Sequence, residues 1–108
     1  MIVVGRLRHR LTLEQAMTME DGSGGFAIGW AEVATIWGAI ETLSGRETEA
    51  SDAIKAEATH RITIRHRDDA GPAKRLRFYA RMFEITSAAD PDGSRRLLVC
   101  HCIERDLA

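Results

Sequence analysis

The chain has 108 residues, 44% of them apolar and 29% charged, and a net charge of −1; these proportions exclude a disordered or fibrous protein and fit one globular domain over residues 1–108. No apolar run approaches the roughly 18 residues of a membrane span, and the start MIVVGRLRHR lacks the apolar stretch of a secretory signal, so synthesis and residence in a cytoplasm are expected, with no membrane partner. The charge is unevenly placed. Between Glu14 and Glu57 nine acids stand against Arg46 and Lys55, which gives −7 and leaves +6 for the remainder. Such a division fits two solvated surfaces of opposite sign, and equally a molecule whose copies meet positive side to negative side.

In chain order, Leu7, His9, Leu11 and Leu13 share one parity and Arg6, Arg8, Arg10 and Thr12 the other, so Leu7 to Met17 reads as a half-buried strand. The cluster Asp21-Gly22-Ser23-Gly24-Gly25 is turn chemistry. The run AIGWAEVATIWGAI, Ala27 to Ile40, is too long and too apolar for one flat strand with a wet face, and Gly29 and Gly38 predict bends or a bulge within it. Trp30 and Trp37 are expected there as core or interface anchors.

Ser44 with Glu47 three residues later forms a capping box; Glu47 and Glu49 in a first turn and Lys55 near the end suit a helix dipole. A short α-helix is therefore predicted within a crossover spanning about residues 41–59. Its apolar stripe, Ala50, Ala53 and Ile54, is narrow, so the helix has little to hold it to its own domain. Further on, Ile62, Ile64 and His66 alternate with Arg61, Thr63, Arg65 and Arg67, and Leu76 and Phe78 with Arg75 and Arg77. Met82 to Ser87 and Arg95 to Ile103 complete the set, between turns at Asp68 to Pro72 and Asp90 to Gly93. About six strands with one wet and one dry face close most economically into a small antiparallel β-barrel, giving a mainly β fold with one short α-helix.

The chemistry of a catalyst is not legible, and neither an enzyme nor a cofactor is expected. DGSGG has the wrong order for a serine nucleophile loop, and neither GxxxxGK[ST] nor GxGxxG occurs. Cys100 and Cys102 stand about 6.6 Å apart on one face of a strand, too far for a disulfide, and alternation turns His101 away from both, so two reduced thiols are expected and no metal site. The alternative to a structural role is a small barrel that binds nucleic acid, with Arg61, Arg65, Arg67, Arg75, Arg77 and Arg81 lining one outer face; stacking aromatics are scarce for that purpose.

GRLRHRLTL at Gly5 to Leu13, a Gly-rich hairpin, WAEVATIWGAIETLSGRE at Trp30 to Glu47, THRITIRHR at Thr59 to Arg67 and DPDGSRRLL at Asp90 to Leu98 follow one another in an order and spacing that resembles the phage head-closure family, also called head-tail joining or stopper proteins. The resemblance covers residues 5 to 105. It implies a β-barrel with a helix-bearing crossover, made in a bacterial cytoplasm and built into the head-tail junction of a phage, a prophage-derived particle or a gene transfer agent. Implied partners are other copies of the chain, in a ring of six or twelve, adaptor and portal proteins above, a tail protein below, and double-stranded DNA passing without sequence-specific readout. Carried over to this sequence, the segment that approaches the channel and helps retain DNA comprises Glu41, Ser44, Gly45, Arg46, Glu47, Glu49, Asp52, Ala53, Ile54 and Glu57. Trp30, Trp37, Arg61, Arg65 and Arg67 are the candidates for contacts between subunits. The sequence departs from the family at Thr42, where a proline is frequent, and at His66, where a tyrosine is frequent.

Overall fold

A computed structural model of the chain describes the backbone of residues 6–50 and 53–105, and their side chains outside 45–56. Six antiparallel strands, β1 (His9–Glu20), β2 (Phe26–Ala50), β3 (Ala53–Arg65), β4 (Lys74–Phe78), β5 (Arg81–Ala89) and β6 (Leu97–Arg105), close into a barrel in the order β1-β2-β3-β6-β5-β4. Closure comes from β1 pairing with β4 as well as β2, so that Leu13 lies opposite Leu76 and Glu14 opposite Arg75.

The alternation in the sequence sets what fills the barrel. Leu11 and Leu13 from β1, Ile62 and Ile64 from β3, Leu76 from β4, Phe83 and Ile85 from β5, and Leu98, Cys100 and Cys102 from β6 are all buried in one cluster. Each large member contributes roughly 1.5–3 kcal/mol by leaving water. Both thiols are free, and burial pushes Cys100 up to about 11 and Cys102 up to about 12, so they serve as small apolar side chains.

Among its described side chains β2 supplies no fully buried large one, and it does not run straight. At ~3.3 Å per residue its 25 residues would run to roughly 80 Å if straight, yet the longest dimension of the molecule is 47 Å. Its ladders are interrupted at two bulges, Val33 and Leu43, each an extra residue on β2 of the kind that bends a strand. Neither bulge lies at a glycine: Gly29 pairs in register with Met17, and Gly38 with His9 and Ile64. Gly38 is required for close approach instead, since a Cβ there would sit 2.6 Å from Leu11 Cδ1 and 3.2 Å from the Thr63 carbonyl oxygen.

The α-helix expected in the crossover is replaced by strand. The β2–β3 ladder continues past the Leu43 bulge, from Ser44 opposite Thr59 through Arg46 opposite Glu57 to Ala50 opposite Ala53. The physical reason is one of cost. A lone helix of about twelve residues is marginal in water and must be nucleated anew. A ladder already paired in the barrel at Ile40 and Ile62 adds a satisfied cross-strand pair with each step. The capping signal at Ser44 and Glu47 is real as a local preference and loses to a ladder that is already formed.

Candidate functional site

The barrel ladder is double-sided only in its middle. β3 pairs with β6 from Glu57 to Arg65, and β1 with β4 from Thr12 to Gln15. Beyond those limits the sheet runs on as two-stranded ribbons at both ends of β2: Ala16–Glu20 against Phe26–Trp30, and Glu47–Ala50 against Ala53–Ala56. An isolated two-stranded hairpin is marginally stable in water. Both arms therefore gain from being covered, and they are the parts of this fold suited to meeting other molecules.

The second arm carries the residues assigned to the channel. Glu41 is exposed at its base and accepts a hydrogen bond from Arg61 Nη1 at 3.0 Å; Ser44 is exposed just past the bulge. Gly45, Arg46, Glu47, Glu49, Ala53 and Ile54 lie on the two paired strands, with Glu47 opposite Ala56 and Glu49 opposite Ile54; their side chains fall outside the described residues, as does Asp52 altogether. Glu57 is half-buried, 3.8 Å from Arg105 Nε. Among the described residues, Glu47, Glu49, Ala53 and Ile54 thus lie on the outer ribbon and Glu41, Ser44, Gly45, Arg46 and Glu57 at its base, although the secondary structure differs from that expected.

A buried polar chain ties the base of this arm to the barrel. His60, 2% exposed, has Nε2 at 2.8 Å from Glu104 Oε1 and Nδ1 at 3.2 Å from Thr42 Oγ1. Next to a carboxylate, Nε2 carries the proton and donates, and Nδ1 accepts from the threonine hydroxyl. Arg81 donates to both oxygens of Glu104, at 2.7 and 2.8 Å, and lies over the Phe83 ring. These donors, Arg81 first and His60 after it, hold the Glu104 carboxyl below its ordinary range against the opposing effect of burial. The parity of His60 with Ile62 and of Glu104 with Cys102 would have placed both on the inner side of the barrel; nothing in the sequence marks them as partners.

At the first arm, Glu14 is only 6% exposed and accepts from Arg75 Nε at 2.7 Å and Arg77 Nε at 3.2 Å; Arg77 also donates to Glu32 at 2.9 Å. The Arg75 guanidinium lies 4.0 Å from the Trp30 ring centroid. Trp30 and Trp37 are outside the core, with Trp37 54% exposed, which leaves interface as the surviving half of their expected role. Farther out, Phe26 and Ile28 are 71% and 74% exposed, and Met17 and Met19 are exposed too. No sequence signal separated these side chains from core, because an apolar strand pattern looks the same whether the covering surface is intramolecular or a partner's.

The arginines do not form one basic face. Arg61 and Arg65 lie on β3, and Arg75 and Arg77 on β4, three strands away around the closed sheet and so on the opposite side. Five of the six proposed for nucleic acid are committed to carboxylates: Arg61 to Glu41, Arg67 to Asp69, Arg75 and Arg77 to Glu14, Arg81 to Glu104. Arg67 binds both oxygens of Asp69, which holds that carboxyl below its ordinary range and ties the arginine to its own turn. Arg65, exposed at the end of β3, makes no ion pair among the described residues. The Asp21 cluster is structural: Asp21 Oδ1 accepts the amides of Ser23 and Gly25, while Gly22 and Gly24 take positive φ.

Comparison with solved structures places this architecture. A chain of the virion of a native gene transfer agent particle superposes with a TM-score of 0.79 at 27% identity, covering 94% of this chain and 96% of that one. A protein of Shigella flexneri 2a, solved in solution, superposes with a TM-score of 0.68 at 26% identity, covering 95% and 96%. Comparison with curated proteins finds no match. The family model of the phage head completion proteins matches residues 2–105; with the six-stranded barrel and its two arms, the chain belongs to that family and is a structural head-closure protein of a phage-type virion.

Proposed function

We propose that the chain acts as one subunit of a ring at the head-tail junction, between the portal or adaptor and the tail, and that its second arm reaches toward the DNA channel and helps retain DNA. The observation that carries this reading is the outer part of the second arm, Glu47–Ala50 against Ala53–Ala56, a ribbon extended from the barrel by ladder pairing past the last β6 pair at Glu57 and Arg105. A 12 kDa domain cannot surround a duplex, so a closure must come from cyclic repetition through unlike surfaces. Six or twelve such arms converging on one axis close a passage that no copy closes alone. Retention needs no bond made or broken, which agrees with a structural rather than a catalytic role.

Glu47 and Glu49 give the arm an acidic character. Facing the passage they repel phosphates and keep DNA from adhering during ejection, whereas a cationic lining would bind it strongly and with steep salt dependence. Imaging purified particles tests the assembly: the chain is expected in the neck as a ring, and its absence there ends the proposal. Replacing Glu47 and Glu49 by lysine tests the lining. Particles should form normally and deliver DNA more slowly; unchanged delivery with normal assembly rules out an acidic channel wall.

A further inference from the structure

On the outer side of β2, β3 and β6 lies a cleft of about 850 Å³. Its walls are apolar, from Ala39, Leu97, Val99 and Pro91, and its mouth carries Arg6, Arg8, Arg61 and Arg96 against Glu41 and Asp92, a formal excess of two positive charges. Among its lining residues Thr63 is 1% exposed, and its Oγ1 has no hydrogen-bond partner among the described residues. His9, which also lines the cleft, likewise has a buried Nδ1 without a partner among the described residues. Buried polar atoms left unpaired cost stability, and such a cleft is suited to a ligand that brings both apolar surface and a carboxylate.

The chain itself presents that chemistry elsewhere. On the outer side of the first arm, Glu20 pairs with Phe26 at the tip, followed on the same face by Ile28 and Trp30. One acid thus precedes three apolar side chains, of which Phe26 and Ile28 are the most exposed. Asp21 is already occupied by its own turn, so Glu20 is the carboxylate available at the tip. We infer that the tip of the first arm of one copy docks in the arginine-rimmed cleft of the next, Phe26 and Ile28 entering between Leu97 and Val99 and Glu20 meeting Arg6, Arg8 or Arg96.

The two surfaces are distinct and complementary rather than self-complementary. Ile28 and Ala39 are eleven residues apart along β2, at most about 36 Å. Contact between unlike patches is heterologous, and it propagates into a ring or filament instead of stopping at a two-fold dimer. The inference rests on the ring reading and adds which surfaces form the ring.

Co-expressing Phe26→Cys with Val99→Cys in particles, followed by mild oxidation, tests it. Cys100 and Cys102 do not compete, because burial keeps their thiols protonated at neutral pH. Disulfide-linked pairs are expected from the mixture and from neither variant alone, and ladders of higher multiples from a chain carrying both changes. A ring of this chain visible in the neck without such linkage overturns the docking mode and leaves the ring standing; a neck lacking the chain overturns the ring as well. In a second arm of the test, Arg96→Glu should lower incorporation into particles by roughly fivefold, the effect of about 1 kcal/mol per rim contact, and Glu20→Arg in the same chain should restore it. Failure of restoration, or linkage of the cleft to DNA or to another neck protein instead, overturns the inference.

Discussion

Glu14→Gln gives the sharpest test of how the first arm is anchored. The substitution keeps the shape of the side chain and one carbonyl-type acceptor but removes the charge that faces Arg75 and Arg77. Breaking a fully buried ion pair costs about 3–5 kcal/mol. Here the acid is buried but the arginine side chains are 19% and 31% exposed, and Arg77 keeps Glu32, so partial rehydration reduces the loss to about 2 kcal/mol. For a domain of this size that corresponds to a fall in Tm of roughly 10 °C. Urea unfolding at neutral pH should show a lower midpoint at unchanged m, since the surface exposed on unfolding is the same. In a Trp37→Phe background, Trp30 fluorescence should shift as Arg75 leaves its ring. A loss below about 0.5 kcal/mol would refute the argument and reduce Glu14 to an ordinary surface pair. A double-mutant cycle with Arg75→Met should return a coupling of about 1–2 kcal/mol if the pair is what is lost.

Gly38→Ala should destabilise by about 1–3 kcal/mol, because its Cβ meets Leu11 and the Thr63 backbone; Gly71→Ala, where a Cβ meets nothing within 4 Å, is the control. Glu104→Gln should flatten the acid limb of the stability curve. A carboxyl held below its unfolded value near 4.5 contributes stability that is present above that pH and lost as pH falls through the folded value, so the variant should be less stable at pH 7 and lose less between pH 5 and 3. The limb stays partly sloped because Asp69 and Asp92 are lowered as well; a slope equal to the wild type's would refute the assignment. Cys100 and Cys102 should resist thiol reagents at pH 8 until the barrel unfolds, and modification at the rate of a free thiol would contradict their burial.

The barrel was legible because it rests on period-two alternation, which survives in any context that has an inside. Leu11, Leu13, Ile62, Ile64 and Leu76 read inward from sequence and lie inward. The crossover was misread because its strongest local signal, Ser44 with Glu47, reports a helical preference over four residues, whereas the ladder it joins is set by partners far along the chain, such as Thr42 opposite His60, eighteen residues apart. Long-range pairing of that kind leaves no local trace. Arg75 and Arg77 had the alternation of a solvated face, and only the closure of β1 on β4 brings them to Glu14, sixty-one and sixty-three residues distant. The same reasoning explains why Phe26 and Ile28 were indistinguishable from core: the pattern records which side of a strand is apolar, never whose surface covers it.

A single strand, β2, runs through the barrel and into both arms, and this constrains how the arms can move. Sliding β2 by one residue would turn every side chain on it to the opposite face, putting Ile36 and Ile40 in water and breaking the close approach at Gly38. The bulges at Val33 and Leu43 lock the register on either side of that glycine. Slippage is therefore opposed on both sides of Gly38, and each bulge has its own fastening: the Glu14, Arg75 and Arg77 cluster beside Val33, and the Thr42, His60 and Glu104 chain beside Leu43. Force on one arm reaches the other through a strand that cannot slip, so an arm held by a neighbouring molecule fixes the origin from which its counterpart extends. A fold with separate strands for the two arms would lack that mechanical link, which is the physical consequence of one unbroken β2.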